Sequence, residues 1–265
     1  MTHKARKRFG QNFLHDPGVI RRIVEAIHPL PDQRLVEIGP GQGAITLPLL
    51  QACGRLDVVE LDRDLIAPLA GKATERGTLT IHQTDALKFD FQPLANDGPI
   101  RVIGNLPYNI STPLLFHLLD QAHCIEDMHF MLQKEVVNRM AASPGNGDYG
   151  RLSVMIQYHC RVIPLFNVSP GAFKPAPKVN SAFVRLIPYR KPPVDVKDPQ
   201  QLGTLVRQAF SQRRKTLRNT LKGTLSATEI SAVGIDPGAR AETLALQDYA
   251  ALANLISQRP DRDTL

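Results

Sequence analysis

The chain has 265 residues, 43% of them apolar, enough for one large domain or a main domain with a small appendage around a substantial core. A formal charge of +7 and a pI near 9.5 point to a polyanionic partner, nucleic acid first, because net charge governs association rather than fold. Cys53, Cys124 and Cys160 are odd in number and form no CxxC pair, the histidines lack HExxH spacing, and no apolar run is long enough to span a bilayer, so a disulfide framework, a zinc site and a membrane anchor are set aside. The basic N-terminus has no apolar stretch of signal-peptide type, and a reducing cytoplasm is the expected compartment.

Lys4, Arg6, Lys7 and Arg8 form a basic arm ahead of Gln11-Asn12-Phe13-Leu14. By itself such a run is a solvated tail, but His15-Asp16-Pro17 then offers a capping carboxylate followed by a proline suited to a first helical turn. Val19, Ile20, Ile23, Val24 and Ile27 keep one apolar face, and the helix is expected to end near His28-Pro29. Residues 11–14 are thereby pinned against the domain, where Asn12 and the Leu14 backbone can reach a ligand.

Arg34 to Ile38 is a buried strand, and Gly39-Pro40-Gly41-Gln42-Gly43 follows before an apolar helix, the first strand-to-helix turn of a doubly wound α/β sheet. Glycines such as Gly39 and Gly41 permit positive φ and close approach of backbone to a cofactor, although the GxGxG spacing departs from the dinucleotide fingerprint. The next strand, Leu56 to Glu60, ends in an acid about twenty residues beyond the first glycine, where a ribose hydroxyl pair is usually held. Glu60 is preferred over Asp62, which lies past the strand end. A third strand, Thr78 to His82, precedes Asp85, which can accept from an adenine amino group or cap a helix.

The fourth strand, Val102-Ile103-Gly104, ends in Asn105-Leu106-Pro107-Tyr108. Pro107 pushes Leu106 into extended conformation, so the Leu106 carbonyl can project beside the Asn105 amide, and Tyr108 adds a face on which a planar base stacks. Two neutral acceptors and no general base suit chemistry on an exocyclic amine, driven by orientation and electrostatics. A plain strand-to-turn junction uses the same residue types.

Further along, Ser111-Thr112-Pro113 starts a helix, His129 to Leu132 is a fifth strand, Ser153 to Cys160 a sixth and Ala182 to Leu186 a seventh. Residues 144–150 have loop composition. Phe173-Lys174-Pro175-Ala176-Pro177-Lys178 places an exposed-looking Phe in a stiff basic loop, suited to stacking opposite Tyr108; the alternative is a Phe plugging the core. After Lys191-Pro192-Pro193 the composition turns helical, with Arg213, Arg214, Lys215, Arg218 and Lys222 crowded together and few acids among them, favouring phosphate contact.

Taken in order, Gln11 to Leu14, Glu37 to Gly43, Glu60, Asp85, Asn105 to Tyr108 and Phe173-x-Pro-x-Pro177-Lys178-Val179-x-Ser181 closely resemble the ribosomal RNA adenine N6,N6-dimethyltransferases over nearly the whole chain. Phe210 to Leu217 and the helical tail are similar to the bacterial branch acting on small-subunit 16S RNA, with the 23S RNA methylases the relatives to exclude. The resemblance implies a Rossmann-like class I S-adenosylmethionine methyltransferase domain over residues 1–192, its seven-stranded sheet mostly parallel with the last strand antiparallel. Residues 193–265 would form a small, basic, all-helical domain. S-adenosylmethionine, with no metal, would contact Asn12, Leu14, Gly39, Glu60, Asp85 and Asn105. Asn105, Leu106, Tyr108 and Phe173 would hold a flipped adenine for successive methylations, in two adjacent adenosines of the 3′-terminal hairpin loop. Lys7, Arg8, Lys174, Lys178, Arg213, Arg214, Lys215 and Arg218 would meet RNA in a small-subunit assembly particle, with the protein acting as a monomer. A nicotinamide oxidoreductase would share the glycine turn and Glu60 but leaves Asn105 to Tyr108 unexplained. A methyltransferase-like binding factor in ribosome assembly is the stronger rival.

Overall fold

A computed structural model describes residues 11–258, so Lys7 and Arg8 lie outside the described residues. By internal packing the chain falls into two compact units: the described residues up to Val137 with Ile163–Pro188, and Asn138–Val162 with the described residues from Tyr189.

In the first unit, β1 (Phe13–Leu14) leads into α1 (Pro17–Ile27). Asp16 caps this helix by accepting from the Val19 N–H at 2.9 Å, and His28 closes it in the left-handed region. Then come β2 (Leu35–Ile38), α2 (Thr46–Cys53), β3 (Arg55–Glu60), α3 (Arg63–Ala73), β4 (Thr78–Gln83), β5 (Ile100–Asn105), α4 (Ser111–Asp120), β6 (Ile125–Gln133) and α5 (Lys134–Ala141), whose last residues enter the second unit. The alternation of strand and helix forces parallel pairing, because each helix must cross a sheet face before the chain can return. The sheet order is β4-β3-β2-β5-β6-β9-β7, where β7 is Cys160–Val168 and β9 is Ser181–Pro188. β4 through β6 are parallel neighbours, and β9 runs antiparallel to β6 with Phe130 opposite Val184. This is the expected Rossmann-like class I methyltransferase sheet. Its central strands are buried, as strands covered on both faces must be: every residue from Ile100 to Gly104 is buried, Arg101 included.

Two expectations need correction. Ser153 to Cys160 is not a strand: Arg151–His159 is a helix, α6, and β7 begins only at Cys160. Ser153, Val154, Met155, Ile156 and Tyr158 are all buried, so the segment shows no amphipathic period to separate helix from strand. The Gly150 N–H donating to Ser153 Oγ at 3.0 Å opens a helix instead. Phe173 is not exposed either. It forms β8 (Phe173–Lys174), pairs antiparallel with β1, and is only 3% exposed within the apolar cluster that holds Leu14, Ile23, Val168 and Ala172. Burying a phenylalanine among aliphatic side chains won over displaying it beside two lysines.

In the second unit, α6 packs with α7 (Pro199–Ala209) and α10 (Leu246–Ser257), and the shorter α8 (Leu217–Thr220) and α9 (Ala227–Ala232) complete a helical body. Ser226 and Glu229 form the capping box that their spacing announces. Tyr249 is fully buried and donates to the Ala241 carbonyl at 2.6 Å.

The sheet also buries charge. Asp127 on β6 is 1% exposed and accepts from Arg101 Nε at 2.8 Å and Arg185 Nε at 2.9 Å. Burial pushes its carboxyl up, but the Arg101 hydrogen bond and the neighbouring positive charge outweigh that and hold it below the usual range. His129 beside it is fully buried, both ring nitrogens lack a partner, and Nδ1 stands 3.6 Å from Asp127 Oδ1, too far for a hydrogen bond. Burial lowers its value from 6.5 to about 4, so the ring is neutral.

Two outcomes follow from these burials. As pH falls from His129's ordinary value toward its folded one, the unfolded chain takes a proton that the folded chain refuses, and stability drops by up to about 3 kcal/mol. His129→Leu should lack that part of the decline in urea unfolding followed between those pH values. Phe173→Ala should cost about 3–5 kcal/mol as a cavity in the core; a variant as stable as wild type but inactive would instead give Phe173 a direct role at the substrate.

Candidate active site

A pocket opens at the carboxyl ends of β2, β3 and β5, where the strand order reverses and open α/β sheets bind ligands. The turn after β2 builds its floor. Gly39 and Gly41 take φ of 67° and 57°, so conformation disfavours larger residues at both, and at Gly41 space does too, since a Cβ there would meet the Phe13 ring at 3.1 Å. The Gly39 N–H donates to the Val59 carbonyl at 2.9 Å, latching this turn to the end of β3.

Glu60 sits at that end, 7% exposed, accepting from the Asp62 N–H at 2.8 Å and more weakly from the Gly41 N–H at 3.4 Å. Burial raises its carboxyl, the backbone donors pull it down, and the Asp62 charge raises it again. Asp62, which the sequence places past the end of the strand, is 2% exposed, caps α3 and accepts from Gln11 Nε2 at 3.0 Å. It secures Glu60 rather than replacing it. Asp85 lines the pocket from beyond β4 and also makes the turn its position allows, accepting from the Leu87 N–H at 3.0 Å.

On the opposite wall, Asn105 Nδ2 donates to the Asn12 carbonyl at 3.0 Å. A carbonyl can only accept, so this contact fixes which end of the amide is which and leaves the Asn105 oxygen as the free acceptor. Leu106 buries its side chain and gives its N–H to the Met131 carbonyl, while no described group donates to its own carbonyl. Gly104 makes room for this bend, since a Cβ there would stand 2.7 Å from the Ile38 carbonyl. Tyr108 is half-buried, its hydroxyl 2.7 Å from Ser181 Oγ, so the ring is held at both ends. Burial raises the phenol, partly offset by Ser181.

The pocket therefore gathers Asn12, Leu14, Gly39, Gly41, Glu60, Asp85, Asn105, Leu106 and Tyr108. Phe173 is buried outside that lining. Lys174 and Lys178 are exposed on the first unit; Arg213, Arg214, Lys215 and Arg218 are exposed on the second, where Arg213 donates to the Gly147 carbonyl at 3.0 Å. Glu37 and Ser181 stand inside the motifs quoted from the sequence, which gives neither of them a role. Glu37 sits within an apolar strand and lines the pocket, and an acid in a run buried on both faces was the available signal.

The residues present suit a nucleoside cofactor carrying positive charge. Glu37, Glu60 and Asp85 line the pocket, and among the described lining residues there is no lysine, arginine or histidine. Among the described residues no cluster of metal-ligating side chains occurs, and no helix is long and apolar enough to cross a membrane.

Known proteins agree with this geometry. The family model described as ribosomal RNA adenine dimethylase matches residues 2–258. A Pseudomonas aeruginosa protein named ribosomal RNA small subunit methyltransferase A is 61% identical over 259 residues, 97% of each chain. A Marinobacter nauticus protein of the same name is 57% identical over 255 residues, 96% of this chain and 92% of its own. Among solved structures, the 23S rRNA methyltransferase ErmE is 25% identical with a TM-score of 0.72, covering 93% of this chain and all of that one. A dimethyladenosine transferase from Plasmodium falciparum, 24% identical, shares the fold at a TM-score of 0.77 over 91% of this chain and 95% of its own. Matched from near its first residue to Gln258, the chain belongs to the ribosomal RNA adenine dimethylase family.

Proposed function

We propose that this protein is an S-adenosylmethionine-dependent methyltransferase that dimethylates N6 of two adjacent adenosines in the 3′-terminal hairpin loop of 16S ribosomal RNA, within a small-subunit assembly particle in the cytoplasm. The observation that carries the reading is the Asn105 amide, turned by the Asn12 carbonyl so that its oxygen is the free acceptor in a pocket that Leu106 also lines. The near full-length relatives named for the small subunit favour 16S over 23S RNA.

Glu60 would hold the ribose hydroxyls, Asp85 the adenine amino group, and Gly39, Gly41, Asn12 and Leu14 the remainder of the cofactor through close backbone approach. When bound, the cofactor supplies an electrophilic methyl group. The chain's own part is orientation: Asn105 Oδ1 and the Leu106 carbonyl accept the two N6 hydrogens of a flipped adenine, drawing the amine lone pair out of conjugation and aiming it at the methyl carbon. Tyr108, anchored by Ser181, supplies the face on which the base stacks. No side chain here acts as base, so the proton leaves to water. The monomethylated amine keeps a lone pair and one hydrogen, and the same acceptors serve a second transfer.

The division into a methyltransferase domain over 1–192 and a basic helical domain over 193–265 belongs to the same proposal. The exposed Arg213, Arg214, Lys215 and Arg218 would grip RNA phosphates for the second domain, with Lys174 and Lys178 doing so for the first. The chain would act as a monomer and need no metal.

Asn105→Ala should fold and still bind the RNA particle, because phosphate contacts dominate that affinity. Single-turnover methyl transfer with enzyme and cofactor in excess should remain at least a hundredfold slow, and recovery of near wild-type rate there would leave Asn105 a binding residue only. Mass spectrometry of 16S RNA from cells with and without the gene tests the target itself. For the basic cluster, neutralising Arg213 and Arg214 together should lower the log–log salt dependence of particle binding by about one unit per lost contact, with cofactor binding spared.

A further inference from the structure

Glu37 is a carboxylate with no structural task. It is 2% exposed in the middle of an otherwise apolar β2, it lines the pocket, and its Oε2 has no hydrogen-bond partner. Leaving a buried polar atom unpaired costs about 1–3 kcal/mol, which an apolar residue at that place would avoid. Thr46 on α2, fully buried as well, is close enough to influence it, yet its hydroxyl also stands outside hydrogen-bonding geometry. The charged and titratable groups around it are all acids: Glu60 at the end of β3 and Asp62 beyond it, Asp85 beyond β4, and the Tyr108 phenol after β5; the Asn105 amide is neutral. No cation lies among the described residues of the pocket wall.

We infer that Glu37 is the group through which the pocket recognises the positive charge of its cofactor: it carries a proton when no cation is present and releases that proton to solvent when the sulfonium enters. This rests on the reading of the pocket given above. Burial is the main reason that Glu37 is raised to about 7, with Thr46 lowering it and the Glu60 charge raising it further. A cation brought into the same low-dielectric space favours the ionised form. After methyl transfer the cofactor product is a thioether with one positive charge fewer, Glu37 takes up a proton from solvent, and the attraction that favoured the cofactor over its product is withdrawn. The residue therefore sets selectivity between the charged cofactor and the uncharged-sulfur product.

The sign is definite. Below the Glu37 value the cofactor must displace a proton, so its affinity rises by up to tenfold per pH unit as pH increases and levels off above that value, while affinity for S-adenosylhomocysteine changes less. Calorimetric titration of the full chain about one pH unit below the Glu37 value, in two buffers of unlike ionisation enthalpy, should detect release of nearly one proton with S-adenosylmethionine and clearly less with S-adenosylhomocysteine. Glu37→Gln should abolish that release and flatten the ratio of the two dissociation constants against pH, whereas Glu60→Gln, even with weakened affinity, should retain it. Buffer-independent heats in the wild type, or release lost in Glu60→Gln and kept in Glu37→Gln, would overturn the assignment while leaving the pocket reading intact. Absence of any cofactor binding would sink both. Should Glu37→Gln fail to fold, infrared difference spectra of wild type with isotope-labelled glutamate decide the matter: a carboxylic-acid carbonyl band lost on adding cofactor supports the inference, and its persistence refutes it.

Discussion

The 3.0 Å hydrogen bond from Asn105 Nδ2 to the Asn12 carbonyl joins residues 93 apart and decides what the pocket can do. Reverse that amide, and an acceptor becomes a donor facing the wrong way. The contact depends on residues 11–14 being held in place, and several independent ties do so: Gln11 to Asp62, the β1 pairing with β8, and the His15 N–H on the Ala172 carbonyl at 2.9 Å. The segment that looks like the end of a basic arm is thus built into the pocket wall, with Phe13 against the glycine turn. Orientation of this kind costs nothing at the moment of reaction, since the dipole is already aimed before substrate arrives.

Around that contact the first unit divides its polar groups into satisfied and unsatisfied ones. Asp127, buried in the sheet away from the pocket lining, is gripped by Arg101 and Arg185, a pairing whose value lies in the cost of breaking it rather than in any net gain over apolar packing. Glu60 is half satisfied by backbone N–H groups and keeps acceptor capacity for a ligand. Glu37 is left with an unpaired oxygen at the base of the same pocket. Structural charges are closed off, whereas ligand-facing ones are left waiting, and that difference separates Asp127 from Glu37 although both are buried acids on neighbouring parts of one sheet.

The sequence by itself determined whatever depends on neighbours within a few residues. Asp16 before Pro17, the glycines after β2, an acid closing β3 and the capping box at Ser226 are matters of local dihedrals and local hydrogen bonds, and each is found where its spacing places it. Alternating strands and helices likewise required a parallel sheet with its ligand site at the strand ends. Only the tertiary structure decided burial and partner choice. Residues 151–159 have no amphipathic period, so packing with α7 and α10 made them a helix; Phe173 met an apolar cluster that local composition does not reveal; Asp62 found Gln11, Tyr108 found Ser181 and Asn105 found Asn12. A side chain's solvent and its hydrogen-bond partners are set by residues distant in the chain, and Glu37, ordinary in sequence as the acid of a short strand, becomes a buried acid with one unpaired oxygen only when the sheet and α2 close over it.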